Sequence, residues 1–346
     1  MIDKLIKDGR YREYPFGEFD FENEKWGILF LNMGGPETTD DIEPFLYNLF
    51  SDPFIIKLPF SSILQKPLAR FISSRRAVKV KGNYEAIGGG SPLLRWCRLE
   101  AEGVKKELAE KYPLVETFPG MRYTPPFIGE ALERAAAAGC KHIVIVSLFP
   151  QYTRATTGTA LAEVCDWFKN NRTDITFSVI AGWHNHPGYI ELLRNSIAEA
   201  MAASVAPVKP KLLFSAHSLP VKLVKSGDPY FNQVTETVRL AGEGYDYVLS
   251  FQSRSGPVRW LEPETKNIVE KLGHDGVEEL VVVPVSFVSD HIETLHEIDI
   301  ELKELALASG IKKFIRTRSF NDDPRFIKLL AGMVRDKIEG TGEKVL

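Results

Sequence analysis

Short apolar runs alternate along the chain with longer stretches in which apolar positions recur every three or four residues. Each run has the length of a β-strand, and the clearest are Trp26–Asn32, His142–Phe149, Thr176–Ala181, Lys211–Ala216, Tyr247–Gln252 and Leu280–Val288. The stretches between them have helical periodicity, as in Asp40–Phe50, Leu99–Lys111, Ile128–Ala138, Gly158–Asn170, Ile190–Ala203, Thr235–Gly242 and Glu264–Leu272. Alternating strands and helices are typical of βαβ units with parallel sheets. The sequence therefore predicts an α/β protein with two Rossmann-like domains, each a central parallel sheet flanked by helices.

The predicted units divide the chain into two domains, 1–159 and 160–319. A last helical pattern, at about Pro324–Ile338 within 320–346, is expected to pack back on the first domain. Open α/β sheets bind ligands outside the carboxyl ends of their strands. Because several polar and glycine-containing motifs follow predicted strands, we expect them to border one cleft between the two domains.

The glycine-containing turns do not match nucleotide-binding motifs. Met33–Glu37 fits neither G-x-G-x-x-G nor the phosphate-binding loop, and Pro36 removes an amide donor that a phosphate would need. Gly88–Pro92 also lacks the required lysine. The sequence therefore argues against nucleotide binding. The glycines either let the backbone approach a large flat ligand or form ordinary tight turns.

The run Leu280–Val288 is followed at once by acids and imidazoles. Asp290, Glu293, Glu297 and Glu301 are spaced so that one face of an α-helix would carry a column of carboxylates. Such a column at the end of a buried strand suits metal ions and protons. The alternative is a solvated acidic helix start with Asp290 as N-cap. For this segment in isolation, that alternative is the better interpretation.

His217 stands at the end of the predicted strand Lys211–Ala216. Taken alone, it is best interpreted as a hydrogen-bonded core residue, but a neutral imidazole there could also serve as a base or a metal ligand. The stretch 58–76 mixes apolar residues with cations. It is either an ordinary amphipathic helix or an apolar lip for peripheral contact with a membrane surface or an acidic, apolar ligand.

Composition excludes several classes of protein. A chain of 346 residues with 44% hydrophobic and 26% charged residues is typical of a globular protein, and a net charge of −3 gives no reason to expect nucleic acid as a partner. Three widely separated cysteines argue against a disulfide framework. We find neither a secretory signal nor an apolar run long enough to cross a bilayer. The expectation is a cytoplasmic enzyme; the sequence indicates no oligomeric state.

Taken together, these segments resemble the ferrochelatase family, the enzymes that insert ferrous iron into a porphyrin to make haem. The matches occur in the family's order over roughly residues 26 to 320, and the most specific are Leu212–Tyr230 and Asp290–Glu293. The matching segments are Leu31–Pro36, Tyr84–Pro92, Met121–Tyr123, Phe149–Tyr152, Phe214–Pro220, Gly227–Tyr230, Trp260 and Ser289–Leu295.

The resemblance implies roles for individual residues. His217 and Glu293 correspond to the catalytic pair, with metal ligation assigned to the same two side chains. Asp290, His291 and Glu297 correspond to a path for metal ions or protons. The positions implied for binding the porphyrin or its carboxylates are Met33, Arg76, Lys79, Tyr84, Ser91, Arg122, Tyr123 and Trp260.

The resemblance also sets the expected substrates and cofactors. Porphyrin and Fe²⁺ are expected as substrates, and no further cofactor is expected. Some family members carry a [2Fe–2S] cluster on four cysteines; this chain has three, none after Cys165, so we expect no cluster. The alternatives are a coproporphyrin ferrochelatase, another tetrapyrrole metal chelatase, and a tetrapyrrole carrier without turnover. Met33 favours protoporphyrin over coproporphyrin by resemblance.

Overall fold

The structure, a computed structural model, describes residues 19–55, 61–204 and 210–341. Within these residues it contains two four-stranded sheets, both parallel throughout, so the predicted α/β class is confirmed. The strands in these ranges are β1 Trp26–Asn32, β2 Val115–Met121, β3 His142–Ser147, β4 Thr176–Ile180, β5 Lys211–His217, β6 Tyr247–Gln252, β7 Glu279–Pro284 and β8 Lys313–Arg316.

Helices connect the strands, as expected for βαβ units. The α-helices of the described residues are α1 Ile42–Ser51, α2 Ser61–Ala86, α3 Leu93–Leu108, α4 Ile128–Ala137, α5 Thr159–Asn170, α6 Pro187–Ala202, α7 Val221–Lys225, α8 Tyr230–Ala241, α9 Thr265–His274, α10 Lys303–Ala308 and α11 Pro324–Glu339. A 3₁₀ turn, Thr39–Asp41, precedes α1. Two segments are π-helical: Arg154–Gly158 and Glu293–Leu302.

The first sheet has the strand order β2-β1-β3-β4. All seven residues of β1 are buried, which explains why its sequence is a continuous apolar run rather than an alternating one. Leu132 of α4 and Phe168 of α5 are fully buried in the cluster that packs against this sheet. Burying one such side chain contributes about 1.5–3 kcal/mol to stability.

The second sheet has the strand order β6-β5-β7-β8. β5 lies between β6 and β7, so the loops that follow these three neighbouring strands emerge at the same edge of the sheet. His217 is the last residue of β5, and its Cα partner in β6 is Gln252. This topology brings the segments after Gln252 and Pro284 next to His217.

The described residues form two compact units whose boundary differs from the predicted one. The first unit runs up to Phe149 and also includes Thr153–Gly182 and the chain from Asn321 onward; the second comprises Pro150–Tyr152 and Trp183–Phe320. The predicted boundary at 159/160 falls inside the first unit, because β4 still pairs with β3 in the first sheet.

The C-terminal helix α11 belongs to the first unit and packs against α3. The Tyr112 hydroxyl donates a hydrogen bond to Glu339 Oε1 at 2.5 Å. A Cβ at Gly103 of α3 would come within 2.5 Å of Ile327 Cδ1, so the two helices approach closely at this glycine. α11 and α3 therefore pack together within the unit that contains the first sheet.

Candidate active site

His217 is held at the end of β5 by its backbone. Its N–H donates to Ser286 Oγ at 3.2 Å, and its carbonyl accepts from the Tyr230 hydroxyl at 2.9 Å. Tyr230 begins α8, immediately after the turn at Gly227, which has a φ of 90°. Strand, turn and helix therefore fix the backbone of His217, while a third of its side chain remains exposed to solvent (33%).

The imidazole of His217 contacts a glutamate from the π-helix. Its Nδ1 lies 2.8 Å from Glu293 Oε2. Glu293 is the first residue of the π-helix Glu293–Leu302, and Glu297 follows it by four positions. We expected these carboxylates on an α-helix, so the helix type differs from the expectation. The π-helix is rare, occurs mostly as single-turn bulges and is frequently found at functional sites.

Two residues at the carboxyl end of β6, Gln252 and Ser253, contact these glutamates. The Ser253 N–H donates to Glu297 Oε1 at 2.9 Å. The Ser253 Oγ lies 3.0 Å from Glu293 Oε2 and 2.5 Å from Glu297 Oε2. Gln252 Nε2 donates to the Glu293 carbonyl at 3.3 Å. Sequence reasoning missed both residues, and the only signal for them was their position at the carboxyl end of a strand.

The charges of the cluster change one another's protonation. Burial raises the pKa of Glu297, and the charge of Glu293 raises it further. In Glu293 burial acts in the same direction, but the charge and hydrogen bond of His217 outweigh it and lower the pKa. In His217 burial acts to lower the pKa, yet the charge and hydrogen bond of Glu293 raise it above its ordinary value. His217 and Glu293 therefore favour the imidazolium–carboxylate pair, and Glu297 is the acid that most readily holds a proton.

A second polar cluster lies in the first unit around Arg122. Its Nη2 donates to Asp52 Oδ2 at 2.9 Å, its Nη1 to Glu163 Oε2 at 3.0 Å and its Nε to Thr159 Oγ1 at 2.9 Å. The Tyr123 hydroxyl donates to the same Asp52 oxygen at 2.8 Å. The side chain of Asp52 is only 1% exposed. Asp52, a residue that sequence reasoning missed, therefore binds the side chains of both Arg122 and Tyr123.

Comparison with known proteins identifies the family. The family model described as Ferrochelatase matches residues 25–338. The chain belongs to the ferrochelatase family. It is 43% identical over 332 residues to Ferrochelatase-2, chloroplastic, of Arabidopsis thaliana, covering 93% of this chain and 65% of that protein. It is 43% identical over 320 residues to the ferrochelatase of Trichodesmium erythraeum, covering 90% of this chain and 82% of that protein.

The plant relatives are longer than this chain. The chain spans 65% of the length of the Arabidopsis protein and 66% of the corresponding protein of Cucumis sativus. Among solved structures, SirB from Bacillus subtilis with Fe³⁺ has a similar fold, with a TM-score of 0.55 at 15% sequence identity, and the match covers 92% of this chain and 98% of that one. At this identity the likeness concerns the fold alone.

Among the residues that the ferrochelatase resemblance implied, Asp290 forms an ion pair with Arg316 and hydrogen bonds with Ser319 and Thr294. Its carboxylate lies 3.1 Å from Arg316 Nη1 and accepts from Ser319 Oγ at 2.7 Å and Thr294 Oγ1 at 3.0 Å. Arg316 also forms a forked pair with Asp299 of the π-helix. Asp290 therefore joins the π-helix to the end of β8, and its predicted part in a relay stays a prediction.

The remaining relay and pocket residues of the second unit lie close to the cluster or to β5. His291 Nδ1 is 3.2 Å from the Ser289 carbonyl, and the His291 ring lies 4.3 Å from the Phe287 ring. Burial lowers the pKa of His291. Trp260 forms an isolated bridge with Pro220, three residues after His217. These positions are compatible with the roles implied by the family.

The other predicted porphyrin-binding residues lie in the first unit. Tyr84 and Ser91 are buried, whereas Lys79 is exposed. The Arg76 guanidinium lies 5.7 Å from the Phe50 ring. The Met33 carbonyl accepts a hydrogen bond from the Tyr123 N–H at 3.0 Å. A cleft joining these residues to His217 would depend on the relative placement of the two units and stays a prediction.

Metal ligation also stays a prediction. Within the described ranges no group of three or more histidine, cysteine, aspartate or glutamate side chains is arranged to hold a metal ion. The three cysteines, Cys97, Cys140 and Cys165, are free and buried in the first unit. His217 Nδ1 and Glu293 Oε2 are hydrogen-bonded to each other, so a cation bound by these two atoms would have to replace the shared proton.

Proposed function

We propose that this protein is a ferrochelatase that inserts Fe²⁺ into protoporphyrin IX and releases two protons, as the terminal step of haem biosynthesis. The observation that carries the proposal is the contact between His217 Nδ1 and Glu293 Oε2 at 2.8 Å, with Glu297 on the next turn. Membership of the ferrochelatase family supports the same conclusion. Porphyrin and ferrous iron are the proposed substrates.

The chemistry of metal insertion requires a proton acceptor beside the macrocycle. Two pyrrole N–H groups lose their protons when one divalent ion replaces them. We assign the acceptor role to His217 in its neutral form, because the raised pKa makes the neutral imidazole a stronger base than an ordinary histidine. Glu293 stabilises the imidazolium that results. Glu297, whose raised pKa lets it hold a proton, supports Glu293 from the next turn.

Metal delivery is the second part of the proposal. Imidazole nitrogen and carboxylate oxygen form a mixed donor set that suits Fe²⁺ without binding it irreversibly. We propose that His217 and Glu293 contact the incoming ion, and that Glu297, Asp290 and His291 belong to the path by which metal or protons move. Asp290 would act there through its ion pair with Arg316, which fixes the start of the π-helix.

The residues proposed to bind the porphyrin are those that the family resemblance implied. The exposed Lys79 and the neighbouring Arg76 of α2 are suited to the porphyrin carboxylates, with Tyr84 and Ser91 nearby in the sequence. The Arg122 guanidinium is already bound to Asp52, Glu163 and Thr159, and the Tyr123 hydroxyl is bound to Asp52. We therefore propose that Arg122 and Tyr123 shape the pocket wall. Met33 and Trp260 are proposed to contact the macrocycle.

We also propose peripheral contact with a membrane through the segment 58–76. Residues 58–60 lie outside the described residues, and α2 begins at Ser61. Leu64 and Phe71, one heptad apart on α2, are 50% and 52% exposed, and Arg70 and Arg75 lie on the same helix. Apolar side chains interleaved with cations suit an anionic lipid surface. Binding to anionic but not zwitterionic vesicles, lost in Phe71→Glu, is the expected result.

No helix in the described part of the chain combines the length and apolar character needed to cross a membrane. The Arabidopsis and Cucumis relatives are named as chloroplast proteins, so the cytoplasmic location expected from the sequence stays a prediction.

The deciding experiment is an anaerobic assay. Purified protein is mixed with protoporphyrin IX and Fe²⁺, or Zn²⁺ in parallel, and the loss of free-porphyrin fluorescence is followed. Multiple-turnover metallation that is lost in His217→Ala and Glu293→Gln is the expected result. Tight porphyrin binding without turnover would instead favour a carrier, and turnover of coproporphyrin alone would identify the coproporphyrin enzyme.

A further inference from the structure

Ser253 has a backbone conformation that serine rarely adopts. Its φ is 64°, and among the described residues the other non-glycine residue with a positive φ is Asn321. A left-handed conformation is unfavourable for residues with a Cβ, and outside glycine it is found mainly at asparagine and aspartate. Such strain persists where surrounding contacts over-determine the conformation, and it is concentrated at functional sites.

The contacts of Ser253 all lead to two carboxylates. Its N–H and its hydroxyl both reach Glu297, on Oε1 at 2.9 Å and on Oε2 at 2.5 Å. The same hydroxyl is 3.0 Å from Glu293 Oε2, the oxygen that also contacts His217. The two carboxylates therefore meet at one serine oxygen. Two acids one helical turn apart repel each other, and a polar group placed between them offsets this repulsion.

The preceding residue anchors Ser253 to the sheet. Gln252, the last residue of β6, accepts from Ser215 Oγ at 2.6 Å, and Ser215 Oγ lies 3.0 Å from Thr265 Oγ1. All three of these side chains are buried. Strands β5 and β6 and α9 thus help to set the position of Ser253, in addition to the contacts that Gln252 and Ser253 make with the π-helix.

We propose that Ser253 is a positioning residue that fixes the spacing of Glu293 and Glu297, so that Glu293 stays on His217 while Glu297 stays beside it. The proposal rests on the proposed ferrochelatase activity. The π-helix brings the two acids to one edge of the sheet, and Ser253 holds them there from the neighbouring strand. The left-handed backbone lets one residue present both its N–H and its hydroxyl to the same carboxylate.

Three substitutions separate the contribution of the Ser253 hydroxyl from that of its backbone conformation. Ser253→Gly removes the hydroxyl and the unfavourable φ together, and Ser253→Ala removes the hydroxyl alone. Ser253→Thr keeps a hydroxyl and adds a branched Cβ that disfavours this φ. Losing a hydrogen bond to a charged group that acts in the reaction is expected to lower kcat about 10- to 100-fold.

The expected orders of activity and stability are opposite. We expect kcat for metallation to fall in the Gly and Ala variants and to be largely retained in Thr, whereas Tm should be highest in Gly and lowest in Thr. The KM for the metal should rise in Gly and Ala while the KM for porphyrin stays unchanged. If Ser253 only shaped the loop, activity would follow Tm, and Ser253→Gly would be as active as the wild type.

Asn321→Gly provides the matched control. Asn321 has a φ of 47° and lies in the first unit, outside the cluster. Relieving its backbone should change Tm without changing kcat.

Crystal structures of the free wild-type protein and of Ser253→Gly test the proposal independently of turnover. Productive geometry usually has to be held within about 0.5 Å. Displacement of the Glu293 or Glu297 carboxylate by more than this is the expected result, and unchanged positions would overturn the positioning role. A wild-type protein without turnover would refute the proposed function, while the positions of the carboxylates would still decide the role of Ser253.

Discussion

The two polar clusters of this protein have the same composition, one base and two acids, but differ in the base. In the first unit Arg122 binds Asp52 and Glu163; in the second His217 binds Glu293, with Glu297 beside it. Burial raises the pKa of one acid in each cluster, Glu163 and Glu297. Each cluster therefore contains one acid that holds a proton more readily than usual. The clusters differ in the cation, which is arginine in one and histidine in the other.

An arginine does not release its proton in a protein, whereas a histidine exchanges one near neutral pH. All three nitrogens of the Arg122 guanidinium are already bound to the protein. In contrast, the His217 side chain is partly exposed, and its hydrogen bond with Glu293 uses Nδ1. The comparison shows that a base with two acids can either stabilise a structure or exchange protons. The outcome depends on whether the base is an arginine or a histidine.

The largest expected effect is on catalysis. His217→Ala should lower kcat about 1,000-fold, because general acid–base groups contribute about 10²- to 10⁴-fold. Metallation of porphyrin followed by fluorescence measures the loss, and Tm is measured beside it because Glu293 loses its partner. His184→Ala is the matched control, since His184 also pairs with a glutamate of its unit, Glu236, at 2.9 Å. An unchanged kcat in His217→Ala would remove the distinction between the clusters.

The next effect concerns stability in the first unit. Asp52→Asn should destabilise the protein by about 3 kcal/mol, because it leaves a guanidinium without its buried partner. Equilibrium denaturation in urea measures the change. Glu116→Gln, which breaks an exposed pair with Lys105, should cost at most about 1 kcal/mol. Equal effects of the two substitutions would contradict the view that the Arg122 cluster is a structural anchor.

A pH titration tests the proton-exchanging cluster. The pKa of His217 is raised in the folded protein, so its contribution to stability is complete below the ordinary value of 6.5 and is lost as pH rises through the folded value. The pKa of Glu293 is lowered, so its contribution is present above the ordinary value of 4.5 and is lost as pH falls through the folded value. The pair should therefore stabilise the protein most between these two ordinary values.

A substitution at Glu293 tests whether this residue controls the pKa of His217. Glu293→Gln should lower the pKa of His217, because burial then acts with less opposition from negative charge. The imidazole resonances of His217, followed by NMR between pH 5 and 9 in the free protein, measure this pKa. A pKa that stays at its wild-type value would show that Glu293 does not control the base.

The smallest expected effect concerns the support of the π-helix. Arg316 is 11% exposed and binds both Asp290 and Asp299. Arg316→Lys keeps the charge but loses the fork, and should cost about 1 kcal/mol in stability with a smaller loss of kcat than His217→Ala. Urea denaturation and the metallation assay measure the two changes. Arg194→Lys, at an arginine that is 42% exposed, should change neither.

The hydrophobic pattern predicted the bounds of some strands well. The predicted Trp26–Asn32 and Tyr247–Gln252 coincide with β1 and β6. β2 was missed because Pro119 and Gly120 interrupt its apolar pattern. The run predicted as Leu280–Val288 ends as a strand at Pro284, yet Val285 and Val288 remain buried in the loop that follows. Burial alone therefore does not separate a strand from a buried loop.

Local spacing predicted the acids of the site but not what holds them. A four-residue repeat such as Glu293 to Glu297 fits both α- and π-helices, so periodicity could not identify the π-helix. The side chains that bind the acids are distant in sequence: Ser253 precedes Glu297 by 44 positions, and Asp52 precedes Thr159 by 107. Such partners are set by strand order, which a single sequence does not specify.

The return of α11 to the first unit has a consequence for synthesis. The second unit is complete once the chain has reached Phe320, whereas the first unit still lacks the helix that packs on α3. Domains fold as units while the chain emerges from the ribosome. The second unit can therefore fold first although most of the first unit is encoded earlier, and the surface of α3 that α11 covers stays exposed on the nascent chain until α11 has been synthesised.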